Sequence, residues 1–211
     1  MVRFFRKNCI TIILLLAVAG AVYYFMNANG RRRAIAGIPE PIQKEASGSV
    51  TLKIDDKDVL ITFQYSYDIS GLVVSSMDYS DSSFMGQLIP MDVALAWGKV
   101  AEYNTKLDFK WEQSNRHVSF YIPDGMTNYF SEDYAISHCS NNHLIPADKS
   151  IRKKVHKIKK GDYIRIQGYL VNYRGEDGRG NIWASNSSNV RDDVGANSCE
   201  IIYVTSVEWL D

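Results

Sequence analysis

The chain has 211 residues, 45% of them hydrophobic and 23% charged, with 5 prolines, a balance that excludes a disordered or low-complexity polypeptide. Formal net charge is zero, yet Ser47–Asp211 holds 17 Lys plus Arg against 22 Asp plus Glu, a net −5. A domain whose main task is to hold a phosphate backbone is more often basic, so nucleic acid is an unlikely partner.

Residues 1–8 form a short basic N-terminus with Arg3, Arg6 and Lys7. From Asn8 to Gly30 no residue is charged, and residues 9–30 are predicted to form a single transmembrane helix, since roughly 20 apolar residues cross a hydrocarbon core of about 30 Å. Tyr23, Tyr24 and Phe25 would lie in an interfacial aromatic belt. The rival reading is a cleaved signal peptide with Ala17-Val-Ala19 or Ala19-Gly-Ala21 as its site. The apolar run continues past both and exceeds the roughly 7–15 residues of a signal core, which favours an uncleaved anchor.

Arginines 31, 32 and 33 nearly balance the first basic cluster, so flanking charge leaves orientation close to a tie. A short basic head argues for a cytoplasmic N-terminus, hence a bacterial inner-membrane protein with its domain in the periplasm. Cys139 and Cys199 are the two cysteines beyond the anchor. In an oxidising compartment a disulfide between them would stabilise the domain by about 3–4 kcal/mol; the alternative is two separately buried thiols.

Residues 31–48, with two prolines and no sustained periodicity, read as a linker. Residues 49–211 are predicted to form one α+β domain: a mostly antiparallel, curled or barrel-like sheet with about two helices. Val50–Ile54 and Val59–Tyr65 alternate around an Asp-rich turn and predict a hairpin; Gly71–Ser75 is a further strand. Met91–Tyr103 is predicted helical, with Asp92 capping its first turn. Residues 107–111 and 117–122 form a second hairpin around Gln113–Arg116. A second helix is expected over Asp148–Lys159, with Ile151, Val155 and Ile158 as its core stripe and Gly161 ending it. Tyr163–Val171, containing Gly168 at a bulge or bend, then Asn181–Ala184 and Glu200–Glu208 complete the sheet. A helix feeding such a run of strands is the pattern of small closed barrels such as the OB-fold, by analogy alone.

Reactive side chains concentrate in Ser137–Asp148. There His138 and His143 flank Cys139, leaving a metal site, a Cys-His nucleophile pair or a structured polar loop as readings. A metal needs a further ligand that the spacing does not supply, and no metal or other cofactor is assigned. A nucleophile pair would conflict with a Cys139–Cys199 bridge. In the loop reading Asn142 and its neighbours make local turns.

A second polar stretch, Ser185–Gly195, includes a glycosylation sequon at Asn186. Were the bridge formed, it would bring Ser187, Ser188, Arg191 and Asp192 towards His138 and His143 as a candidate cleft, with Arg191 able to hold a carboxylate or phosphate. Finally, Lys149, Arg152, Lys153, Lys154, Lys157, Lys159 and Lys160 form a positive pole without an acid among them. A partner for it would be an anionic surface or an envelope protein.

Asn142-His-Leu-Ile-Pro146, Gly161-Asp162 with Gly168-Tyr-Leu-Val171, and Cys199-Glu-Ile-Ile-Tyr-Val204 resemble a family of uncharacterised bacterial membrane-anchored proteins. The likeness spans most of residues 85–211 and implies no activity. Motifs of P-loops, zinc metalloproteases, Gly-x-Ser-x-Gly hydrolases and Rossmann domains are not recognised. Two functional expectations result. One is an anchored binding or scaffolding module acting through Asn142, His143, Arg191 and the positive residues Lys153, Lys154 and Lys157. The other is an anchored hydrolase using His143, with Cys139 or Ser187 as nucleophile and His138 or Asp192 assisting.

Overall fold

Strand β1 (Ile42–Ile54) turns tightly into β2 (Lys57–Asp78), with Ile54 opposite Lys57, because alternating apolar residues on either side of the Asp-rich turn each need a partner for one face. The computed structural model describes residues 17, 18 and 20, which are helical, and residues 33–210 apart from 55, 177–179 and 191–197. The predicted anchor, Arg191 and Asp192 therefore lie largely or wholly outside the described residues. Among those described, no helix is long and apolar enough to cross a membrane. The strands belong to the unit Arg32–Asp211.

The remaining elements are α1 (Phe84–Leu88), β3 (Met91–Ala96), α2 (Gly98–Tyr103), β4 (Lys110–Ser114), β5 (His117–Tyr121), a short 3-10 turn (Met126–Asn128), α3 (Glu132–Ser137), β6 (Cys139–Pro146), α4 (Lys149–Val155), β7 (Tyr163–Glu176), β8 (Ile182–Ser185) and β9 (Glu200–Trp209). One sheet has the order β1-β2-β3-β6-β9-β7-β8, and β2 pairs with β7 as well. Strands β2, β3, β6, β9 and β7 thus form a closed ring. Every pairing in it is antiparallel except β6 with β9, which is parallel.

Closure requires strong curvature, and β2 supplies it with register shifts between Phe63 and Tyr65 and between Val73 and Ser75. The anticipated bulge at Gly168 is present between Gln167 and Gly168. A side chain there would collide with the Tyr203 carbonyl oxygen at 2.0 Å. Consecutive residues of β6 and β9 point to opposite faces, and each face has a core. Leu144 and Ile202 join Val93, Leu95, Ile166 and the α4 residues Ile151 and Val155 on one side, while Ile145 and Ile201 join Val59, Ile61, Leu88 and Ile89 on the other.

Three expectations are corrected. Residues 33–48 of the expected linker are not loose: β1 begins at Ile42, and Ile38 is 3% exposed, its carbonyl accepting from Gly98 N at 3.1 Å. Met91–Tyr103 is not one helix but β3 followed by α2. All six β3 residues are buried, and a run buried on both faces fits either period. The polar stretch Ser137–Asp148 is not a loop but mainly β6, a central strand. Four α-helices stand among the described residues where about two were expected. The basic helix is present but shorter than expected, ending at Val155 and not near Lys159, with Asp148 capping it by accepting from Ser150 N and Ile151 N at 2.7 and 2.8 Å.

Candidate functional site

Register decides which side chains meet. Asp92 of β3 lies directly opposite His143 of β6, and Ala94 opposite Asn141. In the parallel pair β6–β9, Asn142 aligns with Glu200, which brings Cys199 beside Asn141. Strand alternation then puts Asp92, Asn141, His143 and Cys199 on one face, at the polar end of the core that contains Ile145 and Ile201.

Asp92 is the hub. Its side chain has no exposed surface, and Oδ1 receives Arg116 Nη1 at 3.1 Å and His143 Nδ1 at 2.7 Å, while Oδ2 accepts from the Tyr79 hydroxyl at 2.8 Å. Burial, together with the adjacent Asp92 charge, pushes the Tyr79 phenol well above its ordinary value, so it stays a donor. Arg116 is anchored further by Nη2 donating to the Ile89 carbonyl at 3.2 Å and by its guanidinium stacking 3.9 Å over the Tyr79 ring. A buried carboxylate is tolerable only with partners of this kind.

Arg116 reaches this position from the two-residue turn between β4 and β5, where Asn115 and Arg116 have φ of 48° and 64°. Left-handed conformation suits the tight hairpin but is uncommon for arginine. Contacts to Asp92 and the Ile89 carbonyl hold it there.

His143 is 12% exposed. Burial opposes its charge, but hydrogen bonding and electrostatic attraction to Asp92 and Cys199 outweigh that effect and push the imidazole up to about 9. Cys199 is half-buried, and its sulfur is close enough to the His143 ring to help raise the imidazole's pKa. Asn141, 4% exposed, donates through Nδ2 to the Cys199 sulfur at 3.3 Å and to the Arg116 carbonyl at 2.7 Å. Its Oδ1 accepts from Gln113 Nε2 at 3.4 Å. The result is a line of contacts, Cys199 to His143 to Asp92, with an amide beside the sulfur.

The other residues singled out from sequence lie elsewhere or play other parts. Cys139 and Cys199 are both free thiols. Their positions in the β6–β9 register imply Cα atoms about 8 Å apart, beyond the roughly 7 Å a disulfide spans. Cys139 lies against the Ala135 carbonyl at 3.4 Å, and burial with the nearby Glu200 charge pushes its thiol up to about 12, so it is unsuited to act as a nucleophile. His138 sits at the far end of β6 from His143, stacked on Tyr134 with ring centroids 3.5 Å apart and bound to Glu40 at 2.7 Å.

Ser187 is a structural tie, accepting from Ile201 N at 2.9 Å and donating to the Ser188 carbonyl at 2.8 Å; no base contacts it among the described residues. Asn142 points to the opposite face from His143, donating to the Val93 carbonyl at 3.0 Å. Lys154 donates to the Val207 carbonyl at 3.1 Å, whereas Lys153 and Lys157 are exposed. Among the described residues, no three His, Cys, Asp or Glu side chains are placed to hold a metal ion.

No family model, curated protein or solved structure matches the chain. His143 was legible in the sequence; the position of Asp92, expected as a helix cap, and the placing of Asn141, Arg116 and Cys199 around the ring were not. A lone carboxylate inside the apolar run Met91–Ala96 was the available signal.

Proposed function

We propose that this chain is a membrane-anchored enzyme in which Cys199 is a nucleophile, His143 moves its proton and Asp92 orients the imidazole. The observation that carries the reading is the placement of Cys199 beside His143, whose ring is held by the buried Asp92 carboxylate at 2.7 Å. Nucleophilic thiols require a neighbouring base that is itself oriented by a third group, and the 2.7 Å contact with a fully buried carboxylate meets that need. Relative to the hydrolase expectation, His143 is retained and the nucleophile moves from Cys139 or Ser187 to Cys199. The OB-like ring order of the sheet is consistent with a site on an outer strand face.

Selective labelling tests it. The full chain in detergent micelles, treated with limiting iodoacetamide at pH 6.5 and mapped by mass spectrometry, should carry the label at Cys199 and not at Cys139. His143→Ala should lower labelling of Cys199 at least tenfold. Equal labelling of both cysteines, or no effect of His143→Ala, would overturn the assignment.

Attachment through residues 9–30, in a bacterial inner membrane, belongs to the same proposal and rests on the apolar run. With the two cysteines apart, a periplasmic placement is supported by the basic N-terminal head alone. A binding role for the positive helix is a second reading, favoured by the exposure of Lys153 and Lys157. Charge reversal at both should abolish flotation of the chain's 32–211 portion with anionic vesicles; unchanged flotation would refute it.

A further inference from the structure

A cysteine sulfur beside an imidazole can serve several chemistries: attack on an acyl carbon, reduction of a peroxide or exchange with a disulfide. What separates them is the surroundings of the sulfur. Acyl transfer alone develops negative charge on an oxygen one carbon away from the attacking atom, and it alone gains from a hydrogen-bond donor waiting there.

Asn141 presents such a donor. Its Nδ2 carries two hydrogens, one committed to the Arg116 carbonyl at 2.7 Å and the other directed at the Cys199 sulfur at 3.3 Å. The amide cannot swing freely, because Gln113 holds its oxygen and the side chain is 4% exposed. It is a buried donor fixed from two sides whose remaining hydrogen points at the reacting atom, the preorganisation that makes charge stabilisation effective. Arg116 does not share this role, since it is occupied by Asp92 and the Ile89 carbonyl.

We infer that the Cys199 site acts on acyl compounds, esters, thioesters or amides, and that Asn141 Nδ2 stabilises the oxyanion of the tetrahedral intermediate. This rests on the thiol reading above. The Cys199 sulfur attacks the carbonyl carbon and the C–S bond forms. As the sulfur gives up its electron pair it stops accepting from Asn141, whose N–H then donates its hydrogen bond to the carbonyl oxygen now bearing the charge. Collapse breaks the bond to the leaving group, which departs with the proton of His143 and leaves an acyl-thioester on Cys199. Water, giving its proton to His143, attacks that carbonyl through a second oxyanion on the same donor. The carboxylic acid leaves, and sulfur and imidazolium are restored.

The test uses the full chain in detergent micelles with p-nitrophenyl acetate as probe, reading the burst of p-nitrophenolate and the acetyl adduct on Cys199 by mass spectrometry. Iodoacetamide alkylation of Cys199 serves as the comparison, because alkylation forms no oxyanion. The expected result is one acetyl group on Cys199, with Asn141→Ala slowing acetylation by about 10²–10³-fold and changing alkylation only a few-fold. Equal slowing of both reactions, or of neither, overturns the role of Asn141. Alkylation of the wild type without any acetylation overturns the acyl class while leaving the nucleophile in place. Absence of both reactions removes the nucleophile and this inference with it.

Should Asn141→Ala fail to fold, the wild-type chain still decides. The thionoester analogue replaces the carbonyl oxygen by sulfur, a poor acceptor, and should acylate Cys199 at least tenfold more slowly than the oxygen ester, relative to the same pair reacting with a free thiol. A ratio equal to that of the free thiol overturns the proposal.

Discussion

Replacing Asp92 by Asn keeps the volume of the side chain and removes the charge on which Arg116, His143 and Tyr79 converge. Breaking a buried ion pair by removing one partner costs about 3–5 kcal/mol, and Asp92→Asn should fall within that range at pH 7. Its pH signature is more diagnostic. The folded wild type holds the His143 proton up to about 9, against about 6.5 for an unfolded histidine. The folded value is the higher, so the contribution is fully present below about pH 6.5 and is lost as pH rises through about 9, in total about 3 kcal/mol at roughly 1.4 kcal/mol per unit. With Asp92 neutral, the influences of that carboxylate on the ring are lost while burial still opposes its charge, so the loss of stability with rising pH should begin at a lower pH. Urea unfolding of the full chain in detergent micelles at pH 6, 7.5 and 9, followed by tryptophan fluorescence, measures both effects. A variant whose stability follows the wild-type pH dependence would refute the coupling of Asp92 to His143.

Gly168→Ala should destabilise the ring by at least about 2 kcal/mol, because its new Cβ would sit 2.0 Å from the Tyr203 carbonyl oxygen in backbone that cannot yield cheaply; thermal melting followed by circular dichroism checks this. Asp148→Ala should cost about 1 kcal/mol by leaving the Ser150 and Ile151 amides of α4 without their acceptor, and Asp148→Ser should recover most of the loss in the same melting assay.

Where local chemistry decides structure, the chain was legible. Alternation located both hairpins, the stripe Ile151, Val155 and Ile158 located the core face of the basic helix, and Gly168 marked a bulge that its neighbour's backbone enforces. Reading failed where burial or long-range partners decide. Residues 91–96 are buried on both faces, so their apolar run suited a helix as well as a strand. Asn141 and Asn142 are poor strand formers, and they sit in β6 because the Arg116 carbonyl, Gln113 and the Val93 carbonyl satisfy their amides from other elements. The candidate site suffered most. Asp92, His143 and Cys199 meet only through the β3–β6 and β6–β9 registers, and a parallel register between strands more than fifty residues apart has no local signature. Proximity along the chain instead favoured Cys139, which packs against α3.

The measurement that bears most directly on the central claim is the rate of Cys199 alkylation by iodoacetamide between pH 5 and 10, in the full chain and in its His143→Ala variant. The His143 ring beside the sulfur should speed alkylation at neutral pH, so the full chain should react there at least tenfold faster than the variant. Identical profiles for the two chains would contradict the account.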